Sequence, residues 1–441
     1  MLSDFAQIHS AYPAVIVKPT TINELKRALR QYSTLPITIA GSQCSQGGQT
    51  LLDGSLHIDL KNFNRILHLD INTQLITVQS GATWHQIFKE IDQYNLSVSE
   101  MQSYSNFTVG GSVSVNCHGR GFIYGTVADS VTHLKLMTAL GHIIEANREH
   151  NYDLFRAVVG GYGGVALILE VTLRLTLNCR IRRQIEVISP ESLDLYYRQI
   201  VQRPDLVFYN ANIYPTRTDR VVNICWVTTD QALTVTSRLQ PQKRVYPYEL
   251  IGEQLLRLSD TSKKIRSLLE PKLLSQPQVV WKNYEMTYDT QSLQPLTKIL
   301  TTTILQEYFV PLPDVVVFLQ DMWRVLKLYH VNVINVSLRY VKKTSVPILN
   351  YAPEDRIAVV LYINIVKMAS SLRWSEKWTH ILTQLALNCQ GSFYLPYLLL
   401  ATPQQFQQAY PQFRDYLHVK AQYDPQGRLT NHLIRKYLSS V

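Results

Sequence analysis

The chain has 441 residues, of which 46% are hydrophobic and 17% charged, a composition that excludes a disordered protein and allows two domains. Its net charge of +10 is spread along the sequence without a long run of Lys and Arg, so we expect a solvated basic surface and no nucleic-acid partner. Five widely spaced cysteines lack any CxxC pattern, which argues against a disulfide framework and a metal site.

The N-terminus lacks the basic start and apolar run of a signal peptide. The sequence has no apolar stretch of about 18 residues, so we expect no membrane-spanning helix. We therefore expect a cytoplasmic protein in a reducing compartment. The sequence also allows peripheral contact with the inner face of the membrane, and it does not determine the oligomeric state.

The first 177 residues predict alternating strands and helices. Thr21 begins a helix with capping-box spacing to Glu24, and Thr83 begins a second helix whose Trp84 and Phe88 point inward. The remaining predicted elements are strands at 13–18, 36–40, 56–60, 66–69, 75–78, 131–137, 142–146 and 165–177, and a short helix at 154–159.

Beyond Asn178 the sequence is richer in aromatic residues and in longer helices. Strands are predicted at 206–212, 221–227, 303–310, 331–339 and 357–366, and helices at 193–201, 248–268, 314–329 and 406–417. This pattern is typical of an antiparallel sheet with helices on one face. We predict an α+β protein with domains at 1–177 and 178–405 and a C-terminal segment at 406–441.

Glycines, hydroxyl residues and other small residues fill the stretch from Thr108 to Gly121, which ends with His118 and Arg120. Such a stretch packs poorly as core, but glycine lets a backbone approach a ligand closely and aim N–H groups at an anion. Further glycine loops lie at 41–49 and 160–164. Three such loops in one domain favour an elongated ligand with a diphosphate, and FAD has that shape.

Several common signatures are absent from the sequence: there is no GxGxxG after the first predicted strand, no P-loop, no HExxH and no GxSxG. A Rossmann dehydrogenase, a P-loop NTPase, a zincin and an α/β-hydrolase are therefore disfavoured. The glycine loops remain the strongest functional signal.

The ordered set of loops resembles the FAD-binding domain of the vanillyl-alcohol oxidase (PCMH-type) superfamily. The resemblance is carried by Ile39-Ala40-Gly41 with the loop to Gln49, by Thr108-Val109-Gly110-Gly111, by His118-Gly119, and by Leu154-Phe155 with Gly160-Gly161-Tyr162-Gly163. The chain is most similar to the branch that contains alditol oxidases, aldonolactone oxidases and decaprenylphosphoryl-ribose oxidases.

The resemblance implies a set of FAD-binding residues and a set of catalytic residues. The FAD-binding set is Gly41, Ser42, Gln43, Cys44, Ser45, Ser103, Tyr104, Thr108, Gly110, Gly111, Ser114, His118, Gly119, Gly125 and Ile168. The catalytic set is His118, Gln306, Tyr308, Arg339 and Lys420. In this family the C-terminal segment returns to the FAD domain, and Tyr410-Pro411 followed by Asp424-Pro425-Gln426-Gly427 matches its terminal pattern.

The roles that the resemblance implies have structural alternatives. His118 is expected to touch the flavin ring, or else to fix its loop. Arg339 orients substrate hydroxyls, stabilises reduced flavin, or forms a salt bridge. Gln306 and Tyr308 share one face of a strand, which we expect to line a pocket. Lys420 is the candidate for a cation facing the flavin.

The chain departs from the family pattern at three positions. Cys44 stands where many relatives bond a histidine to the flavin, so we expect non-covalent FAD, with a Cys44 thioether as the alternative. Ser337 stands where alditol oxidases carry a glutamate, and Tyr397 replaces the catalytic lysine of the ribose oxidases.

The resemblance implies an FAD-dependent oxidoreductase that moves a hydride from a hydroxyl-bearing carbon of its substrate to flavin N5. The expected substrates are a polyol, a sugar, an aldonolactone or a sugar-lipid, and oxygen or another acceptor reoxidises the flavin. The alternatives are an FAD-dependent reductase of a C=C bond, similar to sterol reductases, and a non-catalytic binding protein with the same fold.

Overall fold

The structure, a computed structural model, describes residues 1–242, 247–289 and 300–438. Before residue 178 the strands are β1 (Leu2–Ser3), β2 (Ser10–Ala11), β3 (Val15–Val17), β4 (Ile37–Ala40), β5 (Leu56–Asp59), β6 (Ile66–Asp70), β7 (Leu75–Gln79), β8 (Leu96–Val98), β9 (Val131–Met137), β10 (Ile143–Asn147) and β11 (Leu167–Leu177). The helices of this part are α1 (Ile22–Gln31), α2 (Trp84–Ile91), α3 (Val109–Ser114), α4 (Val127–Ser130) and α5 (Tyr152–Val158).

This first part contains two larger sheets. Strand β5 lies between β3 and β4 in a parallel sheet, and an antiparallel sheet has the order β10-β9-β11-β7-β6 with β8 added to β11. The eight predicted strands and the helices at Thr21 and Thr83 are confirmed. Thr21 caps α1 by accepting from the Glu24 backbone N–H, and Thr83 and Gln86 form a complete capping box at α2, each side chain accepting from the backbone N–H of the other.

After residue 178 the strands are β12 (Arg180–Ile188), β13 (Leu206–Tyr214), β14 (Arg217–Thr228), β15 (Val279–Trp281), β16 (Thr301–Pro311), β17 (Val333–Val341), β18 (Arg356–Val366) and β19 (Ser392–Phe393). The helices are α6 (Leu193–Ile200), α7 (Pro247–Leu258), α8 (Asp260–Leu274), α9 (Lys282–Met286), α10 (Val315–Leu328), α11 (Ala369–Asn388), α12 (Pro403–Ala409), α13 (Phe413–Tyr423) and α14 (His432–Tyr437).

The second part is built on one antiparallel sheet with the strand order β15-β12-β14-β13-β17-β18-β16-β19. All five strands that the sequence predicted here are confirmed. Strand β12 and the 20-residue helix α11 were not predicted. Helices α10 and α11 pack on each other and on β16, so they cover one face of the sheet.

Two long helices were wrongly predicted as single helices. The helix at 248–268 is broken at Ser259, whose side chain accepts from the Ser262 backbone N–H and so caps α8. The helix at 406–417 is broken at Tyr410–Gln412, where Pro411 lacks the N–H that a continuous helix needs.

The C-terminal segment returns to the first part of the chain. Leu429 pairs with Ile37 in a parallel bridge, and the Arg428 guanidinium donates to the carbonyl oxygens of Tyr32, Leu35 and Ala139 at 2.8–3.1 Å. Buried side chains from both parts then form one hydrophobic cluster. The two parts therefore meet across a shared interior.

Among the helices of the described residues, none has the length and apolar character needed to cross a membrane.

Candidate active site

A cavity of about 480 Å³ lies between the two parts of the chain. One wall comes from the glycine loops of the first part, and the other comes from the large antiparallel sheet of the second. Tyr394, Pro396 and Tyr397 close a third side. The cavity thus lies where the sequence places its cofactor loops, and it adds a wall that those loops do not supply.

Thirteen of the fifteen residues expected to bind FAD line this cavity. They are Gly41, Ser42, Gln43, Cys44, Ser45, Ser103, Tyr104, Thr108, Gly110, Gly111, Ser114, His118 and Ile168. Gly119 and Gly125 lie outside it, which corrects the expectation for both. A Cβ on Gly119 would lie 1.9 Å from the Met101 carbonyl oxygen, and one on Gly125 would lie 2.5 Å from that of Lys342, so close packing explains these glycines.

The glycine pair at the start of α3 has two different tasks. Gly110 donates to the Ser80 carbonyl oxygen at 2.8 Å, and a Cβ there would lie 2.5 Å from Ser80 Cβ. The adjacent Gly111 is exposed and lines the cavity. Gly110 therefore lets α3 approach β7 and its following turn, while Gly111 leaves the backbone open to a ligand.

Several buried polar atoms on the loop wall lack a hydrogen-bond partner among the described residues. They are Gln43 Nε2, Ser80 Oγ, Ser103 Oγ and His118 Nδ1. Each belongs to a residue that lines the cavity. Buried polar groups normally have partners, so this set fits a ligand rich in hydrogen-bonding groups, as FAD is.

Cys117 also lines the cavity but does not act as a nucleophile. Complete burial raises the pKa of its thiol to about 12. The thiol therefore stays protonated near neutral pH.

The sheet wall of the cavity is formed by alternate residues of four strands. These residues are Asn212 on β13, Thr303, Leu305 and Glu307 on β16, Asn335, Ser337 and Arg339 on β17, and Val360 and Tyr362 on β18. Successive strand side chains point to opposite faces, so this face is fixed by the register of the sheet. It presents amide, hydroxyl, carboxylate and guanidinium groups together.

Gln306 and Tyr308 occupy the opposite face of β16, which corrects the expectation that they line the pocket. Tyr308 is fully buried, with its ring centroid 5.7 Å from that of Phe318 on α10. Gln306 donates to the Leu398 carbonyl oxygen at 3.4 Å. Both side chains therefore belong to the layer between the sheet and its helices.

Glu307 lines the cavity, where Gln306 and Tyr308 had been expected. His118 Nε2 lies 2.7 Å from Glu307 Oε1, and the side chains are 3% and 1% exposed. The contact is not aligned as a hydrogen bond, and Oε1 has no hydrogen-bond partner among the described residues. The pair joins the loop wall of the cavity to its sheet wall.

Tyr397 completes this cluster by hydrogen bonding to Glu307. Burial first, and then the Glu307 charge, raise the pKa of Tyr397 well above its ordinary value of 10, so the hydroxyl keeps its proton. Gln49 Nε2 donates to the carbonyl oxygens of Leu395 and Tyr397 at 2.6 and 2.9 Å. The first glycine loop thereby fixes the position of the segment from Leu395 to Tyr397.

Arg339 lines the cavity and forms no ion pair with any residue in the described part of the chain. Its Nε is buried without a partner. The salt-bridge alternative is therefore not realised there, and the guanidinium is available to a ligand.

Lys420 does not line the cavity, which corrects its interpretation as a cation facing the flavin. Its Nζ donates to the carbonyl oxygens of Gly164 and Leu429 at 2.6 and 2.8 Å and pairs with Asp424 at 2.8 Å. These contacts join α13 to the third glycine loop. Lys420 is therefore a positioning residue for the C-terminal segment.

Glu100 lies behind the active site, where Met101 N–H donates to its Oε1 at 3.2 Å. Its complete burial raises the pKa to about 8. A folded-state pKa above the unfolded value of about 4.5 contributes stability at low pH that is lost as the pH rises towards 8, at up to about 1.4 kcal/mol per unit.

We expect Glu100→Gln to remove this dependence, because a neutral amide replaces the titrating carboxyl. Thermal unfolding between about pH 5 and pH 8 should show the variant gaining on the wild type as the pH rises. The exposed Glu191→Gln serves as control and should track the wild type. A constant difference between Glu100→Gln and wild type across this range would contradict the prediction.

Comparison with known proteins gives two family matches. A model described as an FAD binding domain matches residues 13–147, and a model described as D-arabinono-1,4-lactone oxidase matches residues 171–440. FAD is therefore the cofactor of this chain, in agreement with the loop wall of the cavity.

Individual relatives match over shorter segments. The L-gulonolactone oxidase of Mus musculus is 28% identical over 173 residues, which cover 39% of each chain. The mitochondrial L-galactono-1,4-lactone dehydrogenase of Arabidopsis thaliana is 24% identical over 223 residues, covering 50% of this chain and 36% of the relative. The matched segments thus span well under half the length of these relatives.

A solved structure shares the fold. A mutant cholesterol oxidase from Brevibacterium sterolicum superposes with a TM-score of 0.74, covering 99% of this chain and 96% of that one, at 14% identity. The likeness identifies the PCMH-type flavoprotein fold for the whole described architecture.

Proposed function

Because the chain belongs to the D-arabinono-1,4-lactone oxidase family, we propose that it is an FAD-dependent enzyme that oxidises a hydroxyl group of an aldonolactone or a closely related sugar. The proposal depends above all on one observation. A buried His118–Glu307 pair lies in the same cavity as the FAD loops and the polar sheet wall. An alcohol oxidation needs a proton acceptor at this kind of junction.

The loop wall supplies the groups that would hold FAD. Gln43, Ser103 and His118 carry unpaired buried polar atoms, and Gly111 leaves its backbone open. FAD, when bound, supplies the acceptor for the hydride that leaves the substrate carbon. We expect its attachment to be non-covalent, since Cys44 replaces the histidine of related enzymes, and denaturation should then release all of it.

The sheet wall supplies the groups that would act on the substrate. Glu307 Oε1 accepts the proton of the reacting hydroxyl, and Tyr397 donates to this carboxylate and orients it. Arg339 donates its N–H groups to a substrate oxygen. Asn212, Asn335 and Ser337 offer amide and hydroxyl groups for the other hydroxyls of a polyhydroxy substrate.

A substrate panel tests this proposal. The FAD-loaded protein is supplied with aldonolactones, free sugars and alditols, together with an artificial electron acceptor, and products are identified by mass spectrometry. We expect the highest kcat/KM with an aldonolactone and a product lighter by two hydrogens. Turnover of none of these compounds, or reduction of a C=C bond with a nicotinamide donor, would overturn the proposal.

A further inference from the structure

Helices α7 and α8 follow one another with only Ser259 between them, and both expose many apolar side chains. The aliphatic residues that are 50–78% exposed are Ile251, Leu255, Leu258, Ile265, Leu268, Leu269 and Leu273. We call these residues the apolar face. Soluble proteins expose single apolar residues freely, but a contiguous group of this size marks an interaction surface.

The spacing of these residues shows that each of the two helices carries a continuous apolar stripe. Ile251, Leu255 and Leu258 follow at four and three residues along α7, while Ile265 and Leu269 are spaced by one turn along α8. Leu268 and Leu273 extend the second stripe. Residues at these intervals share one side of a helix. Each helix therefore presents an apolar stripe to the outside of the protein.

The polar side of α8 faces the protein instead. Lys263 Nζ donates to Asn332 Oδ1 at 2.7 Å, the Ser267 hydroxyl lies 3.3 Å from that of Thr216, and Arg266 lines the active-site cavity. This is the reverse of an ordinary amphipathic helix, which turns its apolar side to the core. The hydrophobic effect thus favours a further apolar partner on the outside.

The exposed charges beside the face are mainly cationic. Lys264 and Lys272 are exposed on the outer side of α8, and within the described ranges neither forms an ion pair. Asp260 is paired with Lys263 at 3.0 Å, and Glu270 is paired with Arg266. An apolar stripe flanked by unpaired lysines is complementary to a bilayer with anionic headgroups.

We propose that the apolar face docks the protein on the surface of an anionic phospholipid bilayer, with its leucines at the acyl boundary and Lys264 and Lys272 at the phosphates. The same helix then contacts lipid on one side and, through Arg266, lines the active-site cavity on the other. The inference goes beyond the proposed oxidation, because lipid binding requires no turnover.

Vesicle co-sedimentation of the FAD-loaded full-length protein tests this inference. We expect binding to phosphatidylcholine vesicles containing phosphatidylglycerol, weaker binding to pure phosphatidylcholine, and weakening by added salt. The double variant Leu269→Glu/Leu273→Glu should bind at least about tenfold more weakly, because it places two charges at the acyl boundary. Lys264→Glu/Lys272→Glu should remove the preference for anionic vesicles.

Leu195→Glu is the matched control, since Leu195 is a 62% exposed leucine on helix α6 outside the apolar face. It should bind vesicles as the wild type does, and all variants should keep their FAD and their unfolding temperature. Equal vesicle binding by wild type and Leu269→Glu/Leu273→Glu would overturn the inference. So would a wild-type dimer that this double variant converts to a monomer, since a second copy would then cover the face.

Discussion

Replacing Glu307 with glutamine is expected to lower the rate of substrate oxidation by about 10³-fold, the usual contribution of a general base. Glutamine keeps the size of the side chain and can still contact His118 and Tyr397. It cannot accept a proton, so the reacting hydroxyl loses its acceptor. The measurement is the rate of flavin reduction under anaerobic conditions with saturating substrate, after FAD content has been matched to the wild type.

The neighbouring residue provides the control for this prediction. Gln306→Met introduces a side chain of similar size on the opposite face of β16. The Gln306 amide there donates to the Leu398 carbonyl oxygen. We expect flavin reduction within about twofold of the wild type, because the change lies outside the cavity. The assignment of this face would be wrong if Glu307→Gln reduced flavin as fast as the wild type. It would also be wrong if the rate of flavin reduction fell as much in Gln306→Met as in Glu307→Gln.

Replacing Gly111 with tryptophan is expected to weaken FAD binding by at least about 100-fold, which corresponds to roughly 2.7 kcal/mol. Gly111 is exposed on the loop wall, so the indole takes space that the cofactor needs. A new Cβ has one neighbour within 4 Å, Thr108 Oγ1 at 2.9 Å, so a small shift of that side chain admits it. FAD content after purification and titration of the apoprotein measure the effect.

Gly252→Trp is the matched control because Gly252 is also a helical glycine, and a Cβ there meets no atom within 4 Å. Tryptophan has a higher helix propensity than glycine, so both variants should fold. Circular dichroism should show an unfolding transition for both. Full FAD content in Gly111→Trp, or equal loss in Gly252→Trp, would refute the assigned loop wall.

The loop wall could be predicted from the sequence because its signals are local. A glycine pair, short hydroxyl residues and a nearby histidine stay together along the chain, and thirteen of fifteen expected residues line the cavity. Gly119 and Gly125 could not be separated from the others. Glycine is required at positions 119 and 125 by the nearby carbonyl oxygens of Met101 and Lys342, and the sequence does not show that these groups come close in the fold.

The sheet wall was harder to predict because both faces of β16 are buried. The burial of Leu305, Gln306 and Glu307 gives no alternation of apolar and polar residues, so period-2 reasoning cannot tell the cavity face from the helix face. The helices that cover Gln306 and Tyr308 come from later in the chain. Glu307 was not predicted as a site residue because the wrong face of the strand was assigned to the cavity.

The sequence around Lys420 contains a local partner for its charge. Asp424 follows four residues later, at the C-cap of the same helix, a spacing at which opposite charges meet. The buried pair occupies the lysine, together with the carbonyl oxygens of Gly164 and Leu429. A local ion pair was therefore a better interpretation than a distant contact with flavin.

We propose that this cavity couples bound FAD to the oxidation of a sugar-derived hydroxyl through Glu307. Anaerobic mixing of the FAD-loaded protein with an aldonolactone tests this coupling, because the visible absorbance of oxidised flavin reports the reaction without any acceptor. We expect this absorbance to disappear in a first-order phase at least as fast as turnover and far more slowly in Glu307→Gln. Oxidised flavin that persists with every aldonolactone, sugar and alditol, although FAD is bound, would contradict it.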